Sequence, residues 1–142
     1  MLLLLTGCIF GTSSPWDGTW IVRFELPGVQ GDDCAPDDDD PVRRGDDPYR
    51  MDIYTLSNGE ATLVEGSIIL TGSYDNTTLN LEYEESEEDS GILRTTFELD
   101  ATRDGKTMNG TLSSLYQSGD YLCTGAQDFS GSKLGDTNNH LD

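Results

Sequence analysis

Few residues in this chain are of a type and spacing that could do covalent chemistry. Its one histidine, His140, stands two positions from the end of a 142-residue sequence. A Ser-His-Asp or Cys-His arrangement needs an imidazole held by hydrogen bonds, and a chain terminus offers no such support. The sequence holds no GxSxG, P-loop, HExxH or GxGxxG motif. Carboxylates abound, and Asp37, Asp38, Asp39 and Asp40, with Asp32, Asp33, Asp46 and Asp47 nearby, could offer oxygens to Ca²⁺. Four consecutive Asp between Pro36 and Pro41 lack the alternate-position spacing of a calcium loop, so loose counterion binding is expected there. Asp100-x-Thr102-x-Asp104-Gly105 has Thr111 at its twelfth position instead of an acid, and reads better as a hairpin. No catalytic residue, metal centre or cofactor is therefore expected, and the chain reads as a non-enzyme.

The cysteines say more. Leu5-Thr6-Gly7-Cys8, after a run of leucines at the N-terminus, resembles the lipobox of bacterial lipoproteins. That resemblance implies cleavage before Cys8 and acylation of its sulfur and amino group. Residues 1–7 then read as a signal-peptide remnant and 8–16 as lipid anchor and tether. The apolar run is shorter than a usual signal core and has no basic segment before it, so the start codon is expected upstream. Ile9 is not the Asp that retains enteric-type lipoproteins at the inner membrane, so the resemblance implies an outer-membrane address. With Cys8 taken for lipid, Cys34 and Cys123 remain. In an oxidising compartment an even remainder reads as one disulfide, the alternative being two unrelated thiols. Neither has the CxxC or histidine company that zinc requires.

The elements that would position these residues are short strands. Trp20, Val22, Phe24 and Leu26 alternate with Ile21, Arg23 and Glu25, the period of a half-buried strand. Gly31 to Pro48 carries eight Asp, two Arg and three Pro, and reads as one long exposed loop. Strands are then expected over 49–56, 61–65, 67–74, 78–84, 92–101, 107–116 and 120–133. Asn58-Gly59 and Asp104-Gly105 are hairpin signals, and residues 85–91 read as an acidic turn. No segment has a helical period. Eight strands joined by tight turns predict an all-β chain, an antiparallel up-and-down barrel over residues 17–134. A β-sandwich is the alternative, and 135–142 read as a polar tail.

Within that pattern, Trp16-Asp17-Gly18-Thr19-Trp20 resembles the Gly-x-Trp opening of lipocalin-like barrels, and Phe129-Ser130-Gly131-Ser132-Lys133 resembles their last strand. Asn109-Gly110-Thr111-Leu112, followed by Cys123, is similar to the penultimate hairpin of small bacterial lipocalin-like lipoproteins. The resemblance implies that Trp20 plugs one end of the barrel with Lys133 stacked on it. The alternative makes Trp20 a core aromatic at a strand start. A barrel of eight strands is filled by side chains or holds one small ligand. The residues expected to line it are Trp20, Val22, Phe24, Leu79, Leu81, Tyr83, Phe97, Leu99 and Phe129.

Charge narrows the partners. Eight Lys and Arg against 27 Asp and Glu leave a net −19, which excludes the basic counter-surface that nucleic acid requires. The expected function is that of a lipid-anchored cell-envelope lipoprotein binding a small apolar or amphipathic ligand, with the membrane reached through the lipid. The alternative is a protein-interaction module, or a protease-inhibitor-like barrel, acting on a protein partner through its loops.

Overall fold

Alternating apolar and polar side chains form strands because one face can be buried while the other stays in water. The computed structural model, which describes residues 14–25, 29–30, 47–87 and 93–135, has nine of them. They are β1 (Gly18–Phe24), β2 (Val29–Gln30), β3 (Tyr49–Thr55), β4 (Glu60–Glu65) and β5 (Ile68–Tyr74). After these come β6 (Thr78–Glu87), β7 (Leu93–Asp104), β8 (Thr107–Ser118) and β9 (Tyr121–Lys133). Every pairing is antiparallel, and β1 bonds to both β3 and β9. The sheet thereby returns on itself as a closed eight-stranded up-and-down barrel, not a two-sheet sandwich, and the described residues include no helix. Closure leaves the barrel without the two free edges of an open sheet.

The short strand β2 was not expected from the sequence. Phe24 lies opposite Phe129, and Val29 lies opposite Ala126. The chain thus advances five residues while β9 advances three, so β2 resumes the first strand with two residues to spare. Strands β6 and β8 also run on, to Glu87 and Ser118, and β7 runs from Leu93 to Asp104. The acidic stretch expected to turn at Glu85 instead extends the ladder, with Glu85 opposite Thr95 and Glu87 opposite Leu93. Arg94 explains part of this: its guanidinium lies 3.1 Å from the Glu84 carboxylate on the outer face and offsets one acid of the run.

The connections divide between two ends. Turns after β3, β5 and β7 lie at one end with Ser14–Asp17, while those after β4 and β8 lie at the other, where β1 and β6 also end. Asn58-Gly59 and Asp104-Gly105 both make the expected hairpins, with Gly59 at φ 92° and Gly105 at φ 59°, where a side chain would be strained.

The first end is sealed. Trp16 and Trp20 are both fully buried, with ring centroids 6.0 Å apart. Trp20 Nε1 donates to the Trp16 carbonyl and Trp16 Nε1 to the Asp75 carbonyl, each at 2.8 Å, so neither indole N–H is stranded. Register sets Trp20 opposite Lys133. Over the Trp16 ring stands the guanidinium of Arg103, 6.0 Å from its centroid. Its planar fork also donates to the Asn76 and Gly105 carbonyls, clasping two turns together, which a single ammonium could not do in the same geometry.

Candidate ligand-binding mouth

All nine residues expected to line the interior point inward, but they divide by depth. Trp20, Val22, Phe24, Leu79, Leu81, Phe97, Leu99 and Phe129 are between 0% and 6% exposed. Surface facing a water-sized void would register as exposure, so these side chains are covered by one another. Met51, Ile53, Leu63, Leu70, Met108 and Leu112 complete the filling. The lower and middle barrel is a solid core. Of the nine, Tyr83 alone is half-buried.

Tyr83 marks where the wall changes character. Long strands β6 to β9 rise past the ends of β4 and β5, and the inward positions above Phe97 and Leu112 become polar. Register aligns Tyr83 with Phe97, then Phe97 with Ser114 and Ser114 with Gly125. One layer higher, Glu85 meets Thr95, Thr95 meets Tyr116, and Tyr116 meets Cys123. The floor beneath is aromatic. Phe24 packs edge-on against Tyr49 at 5.5 Å and tilted against Phe129 at 5.7 Å, and Tyr83 lies 5.9 Å from Phe97. Above it stand Tyr116 and Tyr121, 6.2 Å apart and edge to face. An apolar base with hydroxyls around its rim suits a ligand with one apolar and one polar part.

Two hydrogen bonds hold this rim. Tyr83 OH donates to Glu85 Oε2 at 2.8 Å, which raises the phenol's pKa above its ordinary 10.0 because ionisation would set two negative groups together. Gln127 is buried, and its Nε2 donates at 3.0 Å to the Glu25 carbonyl, tying β9 to the chain leaving β1. Thr95, Ser114, Tyr116 and Gln127 were not singled out from the sequence. The signal was present: each stands at an inward position of the same alternation that carries Phe97, Leu112 and Phe129.

Other expected sites fall differently. Cys123 is buried at an inward position and disulfide-bonded. Its expected partner Cys34, the lipidation candidate Cys8, and Asp37, Asp38, Asp39 and Asp40 lie outside the described residues. The described concavities are on the outer face. One groove of about 430 Å³ is bordered by Thr78, Asn80, Asp100, Thr102, Asn109 and Thr111. Its polar groups pair among themselves, with Asn80 donating to Asp100 and Thr111 to Asp128. No protein-family model matches the chain, nor does any curated protein or solved structure.

Proposed function

We propose that this chain is a lipid-anchored envelope protein whose barrel binds one small amphipathic ligand at its open mouth. The observation that carries the reading is the change along the inner wall. A fully packed apolar floor at Phe24, Phe97 and Leu112 gives way to the hydroxyls of Tyr83, Thr95, Ser114 and Tyr116. The ligand's apolar part would rest on the floor and its polar part would meet the hydroxyl rim. Carboxylates around that rim favour a neutral or cationic head over an anionic one. Acylation at Cys8 would attach the membrane near Ser14, at the sealed end, leaving the mouth to face away from the bilayer.

The test of binding uses the neutral fluorophore N-phenyl-1-naphthylamine with the intact chain. A saturable rise in emission at one site per barrel is expected. Ser114→Phe, which sets an aromatic ring opposite Gly125 at the proposed site, is expected to abolish the rise while circular dichroism still reports the strands. Emission that never saturates, or that Ser114→Phe leaves unchanged, would refute the site. Mass spectrometry of the native N-terminus tests the anchor, and an unacylated Cys8 would remove it.

A further inference from the structure

At one seam of the closed barrel, among the described residues, the ladder between β5 and β6 stops short of the ends of both strands. Between β5 and β6 the ladder runs from Tyr74 opposite Leu79 to Thr71 opposite Glu82, and there it stops. Both strands continue beyond that point. Ile68, Ile69 and Leu70 remain paired with β4, and Tyr83 to Glu87 remain paired with β7. Among the described residues, nothing pairs with the facing sides of these two stretches.

The hydrogen-bond alternation identifies the groups involved. Asp75 N–H donates to the Thr78 carbonyl, and Arg103 N–H to the Thr77 carbonyl. In an antiparallel ladder, residues bond to their two neighbours alternately. Asn80, Glu82, Glu84 and Ser86 therefore direct their backbone groups toward β5, while Leu79, Leu81, Tyr83 and Glu85 direct theirs toward β7. Among the described residues, the groups that find no ladder partner are those of Glu84 and Ser86 on β6 and of Ile69 on β5. Ile69 is also 51% exposed, a large apolar side chain left in water beside the seam.

The surrounding charge decides what would fill the seam. Glu82 and Glu98 stand directly opposite each other on the outer face, and Glu84 follows on the same face of β6. Like charges in that arrangement repel. The cation paired with this group is Arg94, at Glu84. A second copy of the chain laid against β6 would bring another set of glutamates to the same place. An extended segment with alternating cationic side chains would instead complete the ladder and meet the carboxylates.

We propose that the seam between β5 and β6 is a docking site for a cationic extended peptide, which adds as a strand against Glu84 and Ser86. This site uses the β5-facing backbone of the same upper stretch of β6 whose Tyr83 and Glu85 side chains line the mouth, and it requires no ligand there. Main-chain bonds would supply the attachment, and the flanking glutamates the selectivity.

The experiment titrates the full chain with an eight-residue capped peptide of alternating lysine and valine, followed by residue-resolved amide exchange. Glu84, Ser86 and Ile69 are expected to become protected, while Tyr83 and Glu85, already in the β7 ladder, stay unchanged. Ser86→Pro removes one outward N–H without touching the β7 ladder, and is expected to weaken the peptide about tenfold with the fold intact. An alternating glutamate and valine peptide should not bind. Five results would overturn the proposal. Glu84 and Ser86 could already be protected in the free monomer, or sedimentation could show a second copy on the seam. The lysine peptide could fail to bind or bind without protecting those amides. Ser86→Pro could bind it as the parent does.

Discussion

Leu99→Ala tests whether the middle of the barrel is filled, which is what confines any ligand to the mouth. Leu99 is 1% exposed and sits between Leu81 on β6 and Leu112 on β8, both buried. Its neighbours are fixed by ladders on both sides, so they cannot collapse far into the space that the substitution vacates. The loss is then the transfer free energy of three carbons plus most of a cavity, about 3 kcal/mol. For a domain of this length that corresponds to a fall in Tm of about 10 °C. Urea unfolding followed at 215 nm gives the first number, with m unchanged if the native barrel stays closed. The new space is lined by leucine, phenylalanine and methionine, so it should stay dry and accept benzene or xenon, as apolar cavities do. Xenon NMR should therefore detect a site in Leu99→Ala that the parent lacks. Equal xenon binding by the parent, or a loss below about 1 kcal/mol, would mean the interior already holds a void. The confinement of ligand to the mouth would then be wrong.

Three further outcomes follow from local geometry. A Cβ at Gly110 would lie 2.3 Å from the Asp100 carbonyl oxygen and 2.5 Å from the Phe129 ring, so Gly110→Ala should cost about 2–3 kcal/mol in urea unfolding. Gly66→Ala, with open space but φ 57°, should cost about 1 kcal/mol, and an equal loss at both sites would refute the steric account. The Asp75 carboxylate accepts from the Thr77 and Thr78 backbone N–H groups, which lowers its pKa to about 2 from 3.8. Its contribution to stability is therefore complete above pH 3.8 and lost as pH falls toward 2. Asp75→Asn should flatten that part of the acid unfolding curve, and an unchanged curve would count against the turn. Tyr83 should titrate above 10 by absorbance at 295 nm, and Glu85→Gln should return it toward the ordinary value. Any support this phenol lends the fold is present below pH 10 and lost as pH rises through its folded value.

Strand positions and inward faces were legible because alternation is a local property of the chain. Met51, Ile53 and Thr55, or Phe97, Leu99 and Ala101, declare one face without knowledge of any neighbour. Closure was legible as an argument about edges, but the seam was not. It depends on where the β5–β6 ladder stops, and neither Ile69 nor Glu84 carries a sign of that stop. The division between floor and mouth was hidden for a related reason. Leu81 and Tyr83 look equivalent in a period-two pattern, yet one is beneath the rim and the other at it. Only the relative heights of the strands separate them, and those heights are set by register between distant segments. Arg103 is the same kind of case. Its place over Trp16 follows from the bond between Arg103 on β7 and Thr77 in the β5–β6 turn, a contact between residues distant in sequence.

Topology also explains how a chain with a net charge of −19 keeps its barrel together. In an up-and-down barrel, alternate connections emerge at alternate ends. Glu82, Glu84, Glu85 and Glu87 lie on the part of β6 that runs toward the mouth end, and Asp47 lies just before β3 at that same end. Three of the eight cations, Arg103, Lys106 and Lys133, stand at the sealed end. Repulsion among the acids is thus concentrated where chain segments are exposed and salt can screen it over about 10 Å, not within the packed core. The same separation gives the molecule a direction. The sealed end sets Arg103, Lys106 and Lys133 among Asp17, Glu60, Asp75 and Asp104, so its charge is mixed. The mouth and the β5–β6 seam carry the carboxylates that would repel an anionic membrane surface. If Cys8 carries the proposed lipid, the glutamates at the far end would favour the orientation in which both candidate sites turn away from the bilayer.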